Sequence, residues 1–598
     1  MIRGLIHIIT AFVAVAASAT IAVGGRIEDR WWPVQALPKA IVQTTNTEES
    51  ARRRLAFDMM LQSVAGLAAK AVNDGRGDEL VWIDNGNADL KDWRDRMHAA
   101  HPALERRAEA EPWELVERYA GQKIVKGYIL YRSRASNRDS DGINCSVNVA
   151  TSLASLFDGI MVDEELEDDA KAHGLQLLMD VREKTQSWCF ETYKERFNRR
   201  MLCTQDPAKP NVRDLAIAQR VLTVFGKDEA AAAMKWLEPL SPILGWNGGD
   251  EFETTDSSSR HGHIQTATDW CINLPVLMAG TEKLNLPKGR KIDPRMIDWN
   301  DSRSAVSFIS TDGDNVQWFQ GNFFRSSESR SYWSNPMRGK IPFGWSCCFA
   351  HLTQLCPEAI DYAFSTRSAN DSFIEWGGGY YFPDRFGIER TDRWELLARH
   401  ARRTWALMKE TNTTMIGFNF AQCDSADARK ACEVFARQTD GLLAIFSFQY
   451  SAYEAGAGKV FWVRDRTGTD VPVITARYAI WENLNNRERA GTPAKIAREI
   501  RQTAEKQTSE QGPRYDWVIA HVWSYFRQAT GTVDENAENM PQANAATNGG
   551  VRGYLPVTWC AERLPASVRV VSAEELVWRI RMKHDPSATQ RQLAQFGR

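Results

Sequence analysis

The feature that most constrains this chain is a regular alternation of short apolar runs with longer amphipathic segments in its second half. Eight strand-like runs recur between residues 296 and 598, and most of them are followed by a helical stretch. This alternation is typical of a parallel sheet covered by helices. It predicts a (β/α) TIM-like barrel, with an open doubly wound sheet as the alternative and Gly458–Val463 as a further candidate strand. The eight runs are Ala305–Ser310, Ile341–Ser346, Ser372–Trp376, Met415–Phe420, Leu442–Phe448, Val471–Arg477, Trp517–Val522 and Val568–Val571.

Residues 31–295 form a separate unit of α/β character, since 598 residues are too many for one small core. A segment rich in proline, glycine and basic residues, Leu284–Pro294, reads as the linker between the two domains. Within the first domain we expect an N-terminal α/β fold made of short strands and long helices. The clearest strands are Leu80–Ile83 and Gly127–Tyr131, and the clearest helices are Asp163–Gln186 and Arg213–Phe225.

The first residues resemble an export signal. Arg3 precedes an apolar run from Leu5 to Val23, and Ala17-Ser18-Ala19 supplies the small-x-small pattern of a cleavage site. We therefore expect residues 1–19 to be a signal peptide and the mature protein to be secreted or periplasmic, with no stable membrane insertion after cleavage. A retained membrane anchor is the alternative, because the run approaches the ~18 residues of a spanning helix.

Composition narrows the class of function. The formal net charge is −2 and no basic block is interleaved with aromatic residues, so nothing favours a nucleic-acid partner. Ten widely spaced cysteines include no CxxC pair, so we expect neither a metal site nor another cofactor. The chain contains 22 tryptophans. Flat rings of this kind line carbohydrate-binding clefts, although most tryptophans in any protein are buried hydrophobic residues.

The first strand of the second domain ends in the densest polar cluster of the chain. Asp312, Asp314, Asn315 and Trp318 lie in the seven positions 312–318, just after that end. Functional groups of parallel α/β domains gather where strands end, and glycosidases use pairs of carboxyl groups. We expect one of Asp312 and Asp314 to carry out chemistry and the other to orient it, while Asn315 and Trp318 contact substrate. A structural turn or an isolated cation site is the alternative.

The following strands end in further candidates. Trp345 lies in the second strand, and Glu375 and Trp376 end the third. We expect Trp345 and Trp376 to bind substrate, with ordinary buried tryptophans as the alternative, and Glu375 is a natural second carboxylate. Tyr380 and Tyr381 come next, in the stretch WGGGYYFP, and we expect both to contact substrate. A solvent-facing Glu375 and a purely structural turn are the alternatives. Later strand ends offer His521 and Trp523 for substrate binding, and more weakly Asn419, Asp424, Tyr450, Glu454, Trp481 and Glu482.

The first domain has a similar strand exit, Ile243–Glu251, which is rich in glycine and ends in two acids. We expect Asp250 to bind substrate and Glu251 to be a reserve catalytic carboxylate. Two such loops in one chain predict a cleft shared between the domains.

Several of these motifs together resemble one family. WGGGYYFP is similar to the signature of the GxGYxYP glycoside hydrolase family, with Gly377, Gly379, Tyr380 and Pro383 at motif positions and Phe382 in place of the second tyrosine. Further stretches resemble other conserved segments of that family, namely Thr311–Trp318, Met337–Trp345, Gly245–Glu251, Ser259–Asn273 and Asn148–Ala154. The resemblance implies a secreted two-domain protein with a barrel-like second domain that acts on polysaccharides.

Residues and resemblance together predict an exported glycoside hydrolase that cleaves a poly- or oligosaccharide by carboxylate general acid/base catalysis. Two alternatives remain open at this point. The first is a carbohydrate-binding protein without catalysis. The second is a metal-dependent carbohydrate deacetylase or lyase with Asp312 and Asp314 as metal ligands.

Overall fold

The computed structural model describes residues 30–133, 144–281, 288–289, 292–449, 456–507, 511–528, 535–540 and 548–595. The predicted signal peptide, residues 1–19, lies outside them. So do residues 284–287 and 290–291 of the predicted linker, and Tyr450 and Glu454.

The first half of the chain forms three small parallel sheets in the described residues, with strand orders β2-β1-β3, β5-β4-β6 and β10-β9-β7-β8. This agrees with the predicted α/β character. The strands are β1 (Ala40–Thr45), β2 (Glu79–Asp84), β3 (Glu105–Arg107), β4 (Gly127–Tyr131), β5 (Gly159–Asp163), β6 (Leu177–Asp180), β7 (Leu202–Thr204), β8 (Leu222–Val224), β9 (Pro242–Gly245) and β10 (Ile264–Gln265). The helices are α1 (Ala51–Asn73), α2 (Ala88–Ala100), α3 (Pro112–Gly121), α4 (Ser146–Phe157), α5 (Glu167–Ala172), α6 (Gln186–Tyr193), α7 (Arg213–Ala218), α8 (Lys227–Trp236), α9 (Glu251–His261) and α10 (Leu274–Met278).

Both strands predicted in this half are confirmed, as β2 and β4, but both predicted long helices are wrong. Asp163–Gln186 contains the short helix α5 and the strand β6, because Gly174 adopts φ +76° and stops the helix. Arg213–Phe225 contains α7 and β8, separated by Arg220 at φ +55°. In both segments a left-handed residue breaks an apolar pattern that reads as one helix.

A long apolar helix, α1, forms the centre of the first half. Its stretch Arg53–Asn73 is long and apolar enough to cross a membrane, yet 89% of its apolar part is buried inside the protein. No other helix among the described residues has that length and composition. The helix packs on α7 and on strands β2 and β5. Its apolar character is therefore accounted for by the core that it builds.

The second half is organised around one mostly parallel, curled sheet of eleven strands, in the order β16-β17-β15-β14-β13-β12-β11-β20-β18-β19, with β21 paired to the start of β11. The strands are β11 (Ser304–Ser310), β12 (Phe343–Cys347), β13 (Asp371–Trp376), β14 (Met415–Phe420), β15 (Ala444–Gln449), β16 (Val460–Arg464), β17 (Asp470–Thr475), β18 (Tyr478–Ile480), β19 (Ala490–Gly491), β20 (Tyr515–Ala520) and β21 (Val568–Val570). The helices are α11 (Val316–Gly321), α12 (Phe349–Leu355), α13 (Pro357–Thr366), α14 (Arg393–Thr411), α15 (Ala426–Ala436), α16 (Pro493–Glu505), α17 (Tyr554–Glu562), α18 (Ala573–His584) and α19 (Pro586–Gln595).

All eight predicted strands exist, and Gly458–Val463 adds a ninth as the antiparallel β16. The regular eight-stranded barrel is not confirmed, for two reasons visible in the pairing. β21 pairs with Ser304–Val306 on the edge of β11 opposite β20, ahead of the point where β12 pairs with Ile309, and so lies off the main path of the sheet. The consecutive strands β17 and β18 lie along one extended stretch, which pairs first with β15 and then with β20. The result is a curled, half-barrel sheet whose carboxyl edge gathers the strand exits.

Candidate active site

The loop that leaves β11 is held rigidly at the carboxyl edge of the sheet. Asp312 adopts φ +64°, and a Cβ on Gly313 would lie 2.6 Å from the Ser346 Cβ and from the Cys347 nitrogen. Only glycine fits so close to β12. Asn315 then caps α11, its side-chain oxygen accepting the Trp318 amide at 3.2 Å. Asn315 therefore has a structural role in this loop.

Glu251 of the first domain meets this loop. It is the first residue of α9, directly after Asp250, which is exposed and accepts the Glu253 amide at 2.7 Å as the helix cap. Burial raises the pKa of Glu251 to about 8, and the negative charges of Asp312 and Asp250 add to that rise. Carboxyl groups from both halves of the chain thus lie close enough to repel one another.

Asp314 is the most buried of the three acids Glu251, Asp312 and Asp314, with 3% of its surface exposed. The Tyr380 hydroxyl hydrogen-bonds to its carboxylate, and the Asn419 amide donates to Oδ2 at 3.3 Å. The Trp376 indole N–H in turn donates to Asn419 Oδ1 at 3.0 Å. Burial raises the pKa of Asp314 well above its usual range, and the charges of Glu251 and Asp312 raise it further.

Asp312 is more accessible and only half-buried. Burial raises its pKa to about 6, against hydrogen bonds from the Thr311 hydroxyl and the Trp523 indole N–H that favour the charged form. Asp312 and Glu251 are therefore two neighbouring half-buried carboxyl groups whose pKa values differ. Such a difference is the usual basis for assigning one acid and one base in a hydrolase.

Tyr380 connects this carboxyl site to the first domain. Its backbone pairs with Gln265, N···O 2.9 and 3.1 Å, and its ring lies edge-on to Trp246 with centroids 5.0 Å apart. Tyr381 is turned away into the core, where its ring packs against His400 at 4.7 Å. The structure thus places Tyr380 at the carboxyl groups and Tyr381 outside them.

Phe382, which stands where the family motif has tyrosine, packs against Phe252 at 5.1 Å. Its amide donates to the Ser259 hydroxyl oxygen at 2.9 Å. A side chain in this position contributes ring contact, so the loss of a hydroxyl leaves the packing intact.

The three glycines ahead of Tyr380 lie where the first and second halves of the chain pack against each other. All have positive φ, +77°, +77° and +116° for Gly377, Gly378 and Gly379. A Cβ on Gly379 would overlap Ile264 of β10 and lie 2.6 Å from His351 Nε2. His351 accepts the Trp32 indole N–H on Nδ1 at 3.0 Å, which leaves its Nε2–H to donate to the Gly378 carbonyl at 3.1 Å.

Glu375 is not part of the carboxyl site. It is fully buried, and its Oε2 accepts the Ala350 amide at 2.9 Å in the first turn of α12. The Phe349 and Gly378 amides also hydrogen-bond to this carboxyl, and burial raises its pKa to about 8. Its charge is not among those that shift the pKa of Asp312 or Glu251. Glu375 therefore anchors a helix start and the glycine run.

The predicted tryptophans divide into buried and accessible ones. Trp345 and Trp376 are each 1% exposed: Trp345 donates to Asp371 at 2.9 Å, and Trp376 packs on Phe448 at 5.4 Å. Trp318 is also buried. Trp523 is half-buried beside Asp312, with its ring 5.1 Å from that of Trp318.

His521 is half-buried and stacks on Trp481 with centroids 3.8 Å apart. Its Nδ1 lies 2.7 Å from the Ser524 hydroxyl, and burial lowers its pKa to about 3. It is uncharged at neutral pH and therefore suited to contact a neutral ligand.

Sequence reasoning gave no role to two residues of this site, Trp246 and Gln265, and named Asn419 only as one of the weaker candidates. Trp246 follows β9 in the same loop as Glu251, and Asn419 lies near the end of β14, so a strand-exit survey detects their positions. Gln265 acts through its backbone, for which no side-chain signal exists.

Among the described residues, no group of three or more His, Cys, Asp or Glu side chains has an arrangement that could hold a metal ion. The three carboxyl groups of the site come from two halves of the chain and are arranged around Tyr380.

Two family models match the chain. Residues 302–540 match the "GxGYxYP putative glycoside hydrolase C-terminal domain", and residues 125–197 match the "GxGYxYP_N second domain". Together they match more than half of the sequence. The chain belongs to the GxGYxYP family.

The fold of this GxGYxYP protein is also found in a crystal structure described as a putative hydrolase from Bacteroides thetaiotaomicron. The two chains superpose with a TM-score of 0.72 at 21% identity, covering 91% of this chain and 95% of the other. At that identity the likeness concerns the fold alone. A comparison with curated proteins gave no match.

Proposed function

We propose that this protein is a glycoside hydrolase that cleaves a poly- or oligosaccharide between its two domains. The observation that carries the proposal is the pair Glu251 and Asp312, two neighbouring half-buried carboxyl groups with pKa values raised to about 8 and about 6. Between these values one carboxyl holds a proton while the other is charged. The name of the family is consistent with this chemistry.

In the proposed mechanism Glu251 is the general acid. Its proton passes to the glycosidic oxygen as the bond to the anomeric carbon breaks. Asp312 is the carboxylate on the other side of the reaction, acting as the nucleophile or as the base that deprotonates water. The Trp523 indole N–H and the Thr311 hydroxyl hold it in place.

Asp314 acts through its neighbours rather than on the sugar, because it is buried and hydrogen-bonded to Tyr380 and Asn419. Its role is to position the Tyr380 hydroxyl. Half-buried Trp246, Trp523 and His521 would line the sugar-binding surface.

The test is release of reducing ends from a panel of plant, bacterial and host glycans. Release by the wild type and its loss in Asp312→Asn would support hydrolysis. Retained binding with no release from any glycan would favour a carbohydrate-binding protein. Activity that disappears in chelator and returns with a divalent metal would favour a metal-dependent deacetylase or lyase.

On the same proposal the protein meets its glycan outside the cytoplasm, after removal of residues 1–19. N-terminal sequencing of the protein recovered from the periplasm or medium tests this, since a mature protein that still begins at Met1 would contradict it.

A further inference from the structure

One tryptophan beside the carboxyl site is exposed to solvent. Trp270 has 62% of its surface exposed, and it is the only tryptophan among the described residues that is largely exposed. A single exposed apolar side chain needs no explanation by itself. Its position and its support distinguish Trp270 from a chance surface residue.

The backbone around Trp270 is fixed on both sides. The Trp270 amide donates to Gln317 Oε1 at 2.8 Å, and the Asn211 side chain donates to the Trp270 carbonyl at 3.1 Å. The flanking residues Asp269 and Cys271 are buried. The indole is therefore presented to solvent by a rigid loop, which is costly for the largest apolar side chain unless something covers it.

The ring itself is also held. The Lys209 ammonium lies 4.4 Å from the ring centroid, and the same ammonium is paired with Asp269. A cation over an indole fixes its orientation. The Trp270 ring is thus held in place before any ligand binds, which lowers the entropy cost of binding.

The loop that carries Trp270 is continuous with the carboxyl site. It starts at Gln265, the partner of Tyr380, and contacts the Asp314 loop through Gln317. Gln317 is three residues from Asp314, so chain geometry keeps the Trp270 amide within roughly 20 Å of Asp314. A sugar chain of a few units running out of the cleft along the first domain would reach the indole.

We infer that Trp270 is the platform of a distal sugar subsite, on which a pyranose or furanose ring of the bound chain stacks its apolar face. The inference rests on the proposed function in taking the ligand to be a saccharide chain. It goes further in assigning the substrate class: an extended chain of several sugars that contacts both domains, rather than a disaccharide.

The test uses native gels cast with soluble xylan, arabinan, galactan, mannan, β-glucan or pectin. We expect at least one polysaccharide to retard the wild type and Asp312→Asn equally, and Trp270→Ala to lose about five- to tenfold in affinity. Trp270→Phe should retain most of the retardation, because it keeps a flat ring. Met296→Ala is the matched control, since Met296 is 82% exposed but precedes the opposite end of β11.

Equal retardation of Trp270→Ala and wild type would overturn the inference, as would the absence of retardation by all six polysaccharides. Failure of the proposed hydrolysis gives a different result: the wild type is retarded through Trp270, yet releases no reducing ends. With oligosaccharides of a hydrolysed polysaccharide, Trp270→Ala should raise KM for the hexasaccharide and leave that for the disaccharide unchanged.

Discussion

Gln265 and Tyr380 exchange two backbone hydrogen bonds, N···O 3.1 and 2.9 Å, and so join β10, in the first half of the chain, to the WGGGYYFP segment in the second half. The Tyr380 hydroxyl also hydrogen-bonds to the Asp314 carboxylate. Packing between the domains and the geometry of the carboxyl site are therefore coupled through one residue.

Replacing Asp312 should remove hydrolysis without disturbing the fold. We expect Asp312→Asn to lower kcat by about 10²–10⁴-fold, the usual contribution of an acid or base, with an unchanged Tm. Asp168→Asn is the matched control, because the Asp168 side chain is fully exposed in α5 and its charge is not among those that shift the pKa of Glu251 or Asp312. Full turnover by Asp312→Asn on the true substrate would remove Asp312 from the mechanism.

Asp314→Asn should also abolish hydrolysis, although its carboxylate is buried, because it holds the Tyr380 hydroxyl. We expect Asn419→Ala to lower kcat more than it changes KM, since it removes the amide bonded to Asp314. Trp376→Phe removes the indole N–H bonded to Asn419 together with part of a buried ring, so it should act in the same direction and also lower Tm. A change in KM alone for Asn419→Ala would indicate direct contact with substrate instead.

The activity should depend on pH as a bell-shaped curve with limbs near 6 and 8. Asp312, with a pKa of about 6, must be charged, and Glu251, with a pKa of about 8, must be protonated. The measurement is kcat/KM across pH for the wild type and Glu251→Asp, whose shorter carboxyl should keep both limbs. A profile flat between these values and far beyond them would contradict the assignment.

Removing the Glu251 charge should stabilise the protein at alkaline pH. Its folded pKa of about 8 exceeds its ordinary value of 4.5, so the stability it contributes is present below pH 4.5 and is lost as pH rises towards 8. Glu251→Gln has no such loss, and its Tm relative to wild type should increase across that window. A difference in Tm that stays constant with pH would show that Glu251 does not titrate in this way.

Gly379→Ala should destabilise the contact between the domains. Its Cβ would overlap Ile264 and crowd His351, at φ +116°. Gly441→Ala is a matched control, because Gly441 has φ +102° with nothing within 4 Å of the added carbon. We expect Gly379→Ala to lower the free energy of unfolding by at least about 2 kcal/mol more than Gly441→Ala. Equal effects in denaturant titrations would mean that the contact relaxes freely.

The sequence predicts the strands and their polar exits well, because both depend on local patterns. Asp312 and Asp314 follow the apolar run of β11 directly. Glu251 follows the same logic in the first domain. Closure of the sheet is not local, since it depends on how β12 and β21 share one edge of β11.

The direction of a side chain at a strand end is equally hard to predict. Glu375 and Asp312 look alike in sequence, but Glu375 is directed at the start of α12 by the way that helix packs. Composition likewise identifies 22 tryptophans without showing that Trp345 is buried and Trp270 exposed. These distinctions arise from tertiary packing.

The hydrogen-bonded series from Trp32 through His351 to Gly378 has a consequence for how the protein is made. Trp32 and His351 are 319 residues apart in sequence. During synthesis their hydrogen bond cannot form until more than half of the chain has left the ribosome. Contacts between such distant residues form late and slowly. Gly377–Gly379 therefore reach their final conformation only after the two halves of the chain have packed together. The carboxyl site is complete only at that late stage of folding.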